Sequence, residues 1–537
     1  MERYTGQGAS PGIAVGPAAE LADEGQAAVK KHVDDIDAEE KRFWEAQSIA
    51  AAQIEKIRDK ALKSAGEHEA GIFDAHRMLL MDEAFTREIL DTVRREAVNA
   101  EYAAALACDK FSAVFSGMDD EYMRERAADV RDVAGRLIKV LGCGGEEQNI
   151  PEVPSIIIAD DLSPSQTIQL ERKNVLAFVT RRGSSNSHTA ILARTMGIPA
   201  VVDAGVPAGA GGRMAVVDGS RGSIVLDPDE ETLEKAERLK QAAEDRRREL
   251  SEYKSLPAVT RSGKKIRVMA NIGSLSDIDA AIQNGAEGIG LFRSEFLYLE
   301  GRTCPSEEEQ FLAYREAARR MDGKKVIIRT MDIGADKQAD YLEMDREENP
   351  ALGCRAVRIS LTREDIFRTQ LRALYRASVY GNIAVMVPMI ISVWEVKRVR
   401  EIMGEVRKEM EKEDIPFRNM ELGIMVETPA AALTADDLAA ESDFFSIGTN
   451  DLTQYTLALD RQNAKLERFY DPYHPAVMRL LKMTCDAAHK AGIWVGICGE
   501  LAADVKMTEK LIGMGIDEMS AATGMILEIK KAICESR

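Results

Sequence analysis

Six residues in the second half of the sequence could do chemistry together: Arg293, Arg329, Glu427, Asn450, Asp451 and Cys498. Each stands at or just past the end of a short apolar run. Asn271, Met389 and Ser520 hold the matching places on three further runs. An arginine offers a planar fork of donors that suits phosphate or carboxylate. Two of them point to an anionic ligand with more than one charge. Glu427 and Asp451 supply hard oxygen ligands of the kind that hold Mg²⁺ together with substrate oxygens. The set reads as a binder of a small phosphorylated acid and a divalent cation. Taken singly, each residue has a plainer reading. A strand-end arginine also serves as a structural ion-pair partner, and a thiol inside IWVGICGE packs in a core as readily as it acts as an acid or nucleophile. The convergence of all six favours a site.

A seventh candidate lies apart. The stretch GSSNSHTAILAR (183–194) runs small polar residues into Ser187 and His188, then into an apolar helical pattern. Ser187 reads as an N-cap, which puts His188 at a helix N-terminus. Free N–H groups and the helix dipole favour an anion there, and a phosphoryl group carried on the imidazole would be one. The alternative is a polar histidine closing a loop. The sequence has only six histidines, and none lies beside this one to share a metal.

The elements that must position these residues are legible from punctuation and period. Residues 1–20 carry glycine and proline around Ile13–Val15, which suits one strand and turns. Residues 18–150 contain no proline. Ile36, Phe43, Ala46, Ala50, Ile57 and Ala61 recur there at helical spacing, as do residues from Ile72 to Val93 and from Tyr102 to Leu141. That zone predicts an all-helical bundle. Past Pro151 and Pro154 the period changes to short β-rich runs: SIIIA, VLAFVT, AVV, MAVVDG and SIVLD. Residues 1–20 join this α/β domain, so the helical zone is an insertion in it. Residues 228–255 predict a charged helical linker. From 256 onward eight apolar runs alternate with helical patterns: IRVMAN, GIGLF, VIIRT, AVMVP, LGIMVE, FFSIGT, IWVGIC and IDEMS. That rhythm predicts a TIM (β/α)8 barrel, whose active site lies at the C-terminal ends of its strands.

The expected architecture is therefore multidomain α/β. Residues 1–20 with 145–227 form an α/β domain, 21–144 an inserted helical bundle, 228–255 a linker and 256–537 the barrel. The net charge of −19 argues against a nucleic-acid surface. No apolar run reaches membrane-span length, and the N-terminus lacks the pattern of a signal peptide. Seven scattered cysteines, without a CxxC pair, fit thiols in a reducing cytoplasm.

Seven stretches, in order, resemble one family: GSSNSHTAILARTMGIPAVV, GLFRSEFLY (290–298), RTMDIGADK (329–337), NPALGCRAVR (349–358), GIMVETPAA (423–431), SIGTNDLTQYTLALDR (446–461) and GICGELAAD (496–504). They are similar to the Enzyme I family of the bacterial sugar phosphotransferase system, the phosphoenolpyruvate–protein phosphotransferases. The resemblance implies a phosphohistidine domain, with His188 accepting the phosphoryl group of phosphoenolpyruvate and handing it to the phosphocarrier protein HPr. It implies Glu427 and Asp451 as Mg²⁺ ligands, and Arg293, Arg329, Asn450 and Arg461 as holders of phosphate and carboxylate. Arg355 follows as a further contact. Cys498 is the matching general acid that yields pyruvate, and Thr167 matches a hydroxyl near the phosphohistidine. The bundle, with His76 on one of its helices, matches the HPr-docking domain. A homodimer formed through the barrel is implied too, as is a swing of the α/β domain about residues 228–265. The family's usual Gly-Gly-x-Thr-Ser-His is here Gly183-Ser184-Ser185-Asn186-Ser187-His188.

Pyruvate, phosphate dikinase and phosphoenolpyruvate synthase share the two modules, but they need an ATP-grasp domain that this chain does not supply. A donor to a dihydroxyacetone kinase or nitrogen-regulatory relay is the nearer alternative. A catalytically dead scaffold is opposed by the joint presence of the candidate residues.

Overall fold

The computed structural model describes the chain except residues 22–27, 65–66, 117–120, 143–150, 152, 163–165, 168–169, 171, 185–186, 300, 302, 335–339, 343 and 346. Two compact units divide it, Met1–Asp245 and Arg246–Arg537.

The first unit holds an eight-stranded sheet in the order β1-β8-β7-β3-β4-β5-β6-β2. Its strands are β1 (Glu2–Thr5), β2 (Gln7–Ser10), β3 (Ile13–Glu20), β4 (Ser155–Ala159), β5 (Val175–Thr180), β6 (Ala200–Val202), β7 (Met214–Asp218) and β8 (Ser223–Leu226). The five β-rich runs past Pro154 are β4 to β8. The first twenty residues form three strands where the sequence suggests one. The two extra ones, ERYT and QGAS, are the edges of the sheet. They are short and largely exposed, so they carry no apolar alternation to read. Pro17 sits inside β3 without breaking it. The parallel ladder to β4 starts only at Ala18, so its missing N–H is not needed on that side.

Between β3 and β4 the chain leaves the sheet and forms five helices. These are α1 (Ile36–Ser64), α2 (Glu67–Leu80), α3 (Glu83–Glu96), α4 (Ala100–Ser116) and α5 (Glu121–Leu141). They share an apolar core that includes Phe43, Ala50, Phe73, Phe85, Ile89 and Leu137. The apolar run from Ile72 to Val93 is split because the Asp82 carboxylate accepts from the N–H groups of Ala84 and Phe85 at 2.9 and 3.0 Å, which starts a new helix.

After β5 comes α6 (His188–Met196), capped by the Ser187 hydroxyl and ended by Gly197 at φ 62°. A long helix, α7 (Glu230–Ser251), follows β8, and among its residues only Ala236 is buried.

The second unit contains a closed, all-parallel, eight-stranded barrel. Its strands are β9 (Arg267–Ile272), β10 (Ile289–Arg293), β11 (Lys325–Arg329), β12 (Asn382–Val387), β13 (Glu421–Val426), β14 (Phe444–Gly448), β15 (Trp494–Cys498) and β16 (Glu518–Ala522). This is the TIM barrel architecture, and each of the eight runs is a strand to within two residues. Such strands are covered on both faces, so they read as continuous apolar runs. Met269, Leu291, Ile327, Met386, Met425 and Phe444 fill the interior. Phe444 stacks on Trp494 with centroids 4.4 Å apart, and Arg267 lies 4.1 Å over the Trp494 ring. No helix among the described residues is long and apolar enough to cross a membrane.

Candidate active site

Register sets the first pair. β10 and β11 are parallel neighbours, with Arg293 opposite Arg329 at their C-terminal ends. Arg293 is exposed, whereas Arg329 is 8 % exposed and wrapped in acids. Its Nε and Nη2 reach Glu295 Oε1 at 3.2 and 2.9 Å, and its Nη1 meets Asp332 Oδ2 at 2.9 Å. The other oxygen of Asp332 accepts from Arg355 Nη2 at 2.8 Å. Burial opposes the charge on Arg329, but Glu295, Asp332 and Glu427 outweigh it and hold the guanidinium more firmly protonated than usual. Arg355 is governed in the same way, burial being overcome by Asp332.

Glu427 follows β13 and is 1 % exposed. One carboxylate oxygen accepts the Met389 N–H at 2.7 Å. Met389 has φ 60°, a left-handed conformation that a non-glycine residue rarely holds. Burial first, then the charges of Asp451 and Asp332, push the Glu427 carboxyl up, against the pull of Arg329 and the Met389 N–H. Asn450 and Asp451 lie in the first turn of helix Thr449–Leu457, directly after β14. Asn450 Oδ1 accepts the Glu500 N–H at 3.0 Å. Arg461 Nη2 lies 3.6 Å from Asp451 Oδ1. Cys498 ends β15, where its sulfur accepts from the Ser446 hydroxyl at 3.7 Å and donates to Ile447 O at 3.6 Å. Burial pushes its thiol up to about 12.

A cleft of about 830 Å³ gathers these groups. Arg293, Arg329, Arg355, Glu427, Asn450, Asp451, Arg461 and Cys498 all line it. Asn271, Met389 and Ser520 do not. Asn271 and Ser520 instead bond to each other, and Met389 contributes its N–H to Glu427.

Three models of the PEP-utilising enzymes match the chain: the PEP-binding domain over residues 247–537, the N-terminal domain over 5–126 and the mobile domain over 151–222. The phosphoenolpyruvate-protein phosphotransferase of Haemophilus influenzae is 45% identical, covering 98% of this chain and 92% of its own. That of Bacillus subtilis is 42% identical, covering 99% and 94%. A solution structure of Enzyme I is 36% identical, covers 45% of this chain and 99% of its own, and has a TM-score of 0.39. The chain belongs to the phosphoenolpyruvate-protein phosphotransferase family.

In this phosphotransferase, no group of three or more His, Cys, Asp and Glu among the described residues is placed to hold a metal. The donors of the cleft suit a cation that takes most of its ligands elsewhere. Glu427 and Asp451 both line the cleft, and the charge of Asp451 helps raise the Glu427 carboxyl. A divalent cation completed by substrate oxygens and water would relieve that repulsion.

The remaining candidates lie in the first unit. His188 is the first residue of α6. Its imidazole falls outside the described part of the structure. Thr167 is 3 % exposed. His76, on α2, is 1 % exposed, with Nε2 3.1 Å from Asp129 and Nδ1 3.8 Å from Asp132. Its ring meets Phe73 edge-on. The imidazole is a core group, and the side chains that α2 and the following turn present outward include Met78 and Met81, 76 and 56 % exposed.

Glu295 and Asp332 escaped the sequence reading. Each follows a strand-end arginine by two or three residues, in Arg293-Ser-Glu295 and Arg329-Thr-Met-Asp332. That spacing was the available signal.

Proposed function

We propose that this enzyme transfers the phosphoryl group of phosphoenolpyruvate to its own His188 and then to an HPr-type phosphocarrier protein, releasing pyruvate. The observation that carries the reading is one cleft in which arginines and paired acids surround a thiol that stays protonated. Arg293, Arg329, Asn450 and Arg461 hold the phosphate and carboxylate. Glu427 and Asp451 hold Mg²⁺, which when bound neutralises charge on the transferring group. A bond forms from the His188 imidazole to phosphorus as the bond from phosphorus to the enol oxygen breaks. The enolate then takes a proton from Cys498 at its methylene carbon, which gives the methyl of pyruvate. A thiol pushed up to about 12 is protonated at neutral pH and can serve as this donor.

Exposed Met78 and Met81 support a carrier-docking face on the bundle. Exposed Ile391, Trp394 and Leu433 on the barrel support self-association into a homodimer. The free thiols of the described cysteines suit a reducing cytoplasm.

The test is the intact mass after incubation with phosphoenolpyruvate and Mg²⁺, beside ATP and Mg²⁺, for wild type and His188→Ala. The expected result is one acid-labile phosphoryl group, from phosphoenolpyruvate alone and absent in the variant. Labelling by ATP, or of the variant, overturns the reading.

A further inference from the structure

Glu518 opens β16 inside the barrel and takes no part in the steps above. It is 1 % exposed, and its Oε1 has no hydrogen-bond partner. Burial pushes the carboxyl up to about 8 against the pull of Arg267, so it carries a proton at neutral pH. An uncharged acid enclosed in a barrel core, with an oxygen unsatisfied, is costly unless it serves a purpose.

Its surroundings are cut to fit it. Gly496 on β15 is paired with Glu518, and a Cβ there would stand 2.1 Å from Glu518 Oε2. A Cβ on Gly290 would stand 2.7 Å from Oε1. On its other side Gly496 is paired with Ser446 of β14. Ser446, Gly496 and Glu518 therefore form one row across three adjacent strands, and the missing side chain at 496 lets the Glu518 carboxyl lie across Gly496, the strand neighbour of Ser446. Ser446 in turn donates to Cys498 Sγ at 3.7 Å. Cys498 is the next inward residue above Gly496, about 7 Å along the strand. The charge of Glu518 is among those that raise the Cys498 thiol.

We propose that Glu518 is the proton store that reloads Cys498 after each turnover, through the hydroxyl of Ser446. The inference rests on Cys498 being the proton donor to the enolate. The S–H bond of Cys498 breaks as the methyl C–H bond of pyruvate forms. The thiolate takes the Ser446 hydroxyl proton, and the Ser446 oxygen takes the proton of the Glu518 carboxyl. The Glu518 carboxylate, with Arg267 beside it, regains a proton from water. The net consumption is one water-derived proton per pyruvate.

The test uses the full-length enzyme with phosphoenolpyruvate, pyruvate and Mg²⁺ in D₂O. It compares deuteration of the pyruvate methyl, read by NMR, with first-turnover phosphorylation, read by intact mass. Glu518→Gln and Ser446→Ala are each expected to lower deuteration at least about tenfold more than phosphorylation, since only deuteration needs solvent protons to reach Cys498. Equal losses in both readouts, or no loss in either, overturn the proposal. Ser446→Ala leaves the buried acid in place, so the question is answered even if Glu518→Gln does not fold. Cys498→Ala is expected to abolish deuteration. If it deuterates pyruvate at the wild-type rate, the Cys498 reading itself falls and takes this proposal with it.

Discussion

Arg329 and Arg355 share one carboxylate. Asp332 gives one oxygen to Arg329 at 2.9 Å and the other to Arg355 at 2.8 Å, and all three side chains are buried. The bridge fixes the angle between two guanidinium forks at the cleft. Asp332→Asn keeps the shape and removes the charge that holds both. Leaving a buried charge without its partner costs about 3–5 kcal/mol. The variant should melt earlier and lose at least about tenfold in kcat/KM for phosphoenolpyruvate. Calorimetry and steady-state kinetics check it, and wild-type values in both would rule out the bridge as a positioning device.

Cys498 should resist alkylation. Its thiol is pushed from 9.0 to about 12, so at a given pH its thiolate fraction is about a thousandfold lower than that of an unshifted thiol. Exposed Cys354 is the internal comparison. With iodoacetamide at pH 8, peptide mapping should find Cys354 modified while Cys498 remains free. Early labelling of Cys498 would contradict the protonated donor.

Mg²⁺ dependence should follow the acid pair. Chelation is expected to abolish phosphorylation by phosphoenolpyruvate. Glu427→Gln and Asp451→Asn should each raise the Mg²⁺ needed for half-maximal phosphorylation by about tenfold or more, because each would remove one of the two hard ligands proposed above. A titration of phosphorylation against Mg²⁺ decides the point.

Glu518 should cost stability at high pH. Its folded value of about 8 lies above the ordinary 4.5. Below about 4.5 the group is protonated folded and unfolded alike, and adds no pH dependence. Between about 4.5 and 8 the folded state keeps a proton that the unfolded chain releases, so stability falls as pH rises. Above 8 the fall is complete. Relative to wild type, Glu518→Gln should therefore gain stability from pH 5 to pH 9, by a few kcal/mol at most. Denaturant melts across that range test it, and a constant difference would refute the raised carboxyl.

Gly423→Ala should damage the barrel without touching the cleft. A Cβ there would lie 2.2 Å from the Phe444 ring, which is itself stacked on Trp494. The ring has little room to give, so the cost should be about 1–3 kcal/mol in denaturant melts.

The barrel was legible because its strands are buried on both faces and bounded by glycine and proline, so each shows as an unbroken apolar run. Arg293, Arg329, Glu427, Asn450, Asp451 and Cys498 were legible as strand ends. Strand ends alone do not say which inward side chains reach the cleft. Asn271 and Ser520 hold equivalent places and bond to each other instead. Glu295 and Asp332 carried only the weak signal of following a strand-end arginine, no local period encodes a bridge between Asp332 and Arg355, and Glu518 lies within the run IDEMS, where only packing shows that it is buried. His76 sits in an apolar helical pattern that fits a surface or a core, and only packing against Phe73, Asp129 and Asp132 decides. β1 and β2 were hidden because exposed edge strands need no apolar pattern.

The helical excursion between β3 and β4 also bears on how the chain assembles. Those strands are parallel neighbours, and Glu20 at the end of β3 pairs with Ile158 of β4. A parallel pair cannot be closed by a tight turn, so the five helices are themselves its crossover connection. Closing so long a segment as a free coil costs on the order of 4 kcal/mol in chain entropy before any ladder bond repays it. A bundle that has already folded on its local contacts holds its two ends at a set separation and lifts most of that cost. The connectivity thus makes the sheet the late event in folding, and damage to the helices should slow its formation even where no helix touches a strand.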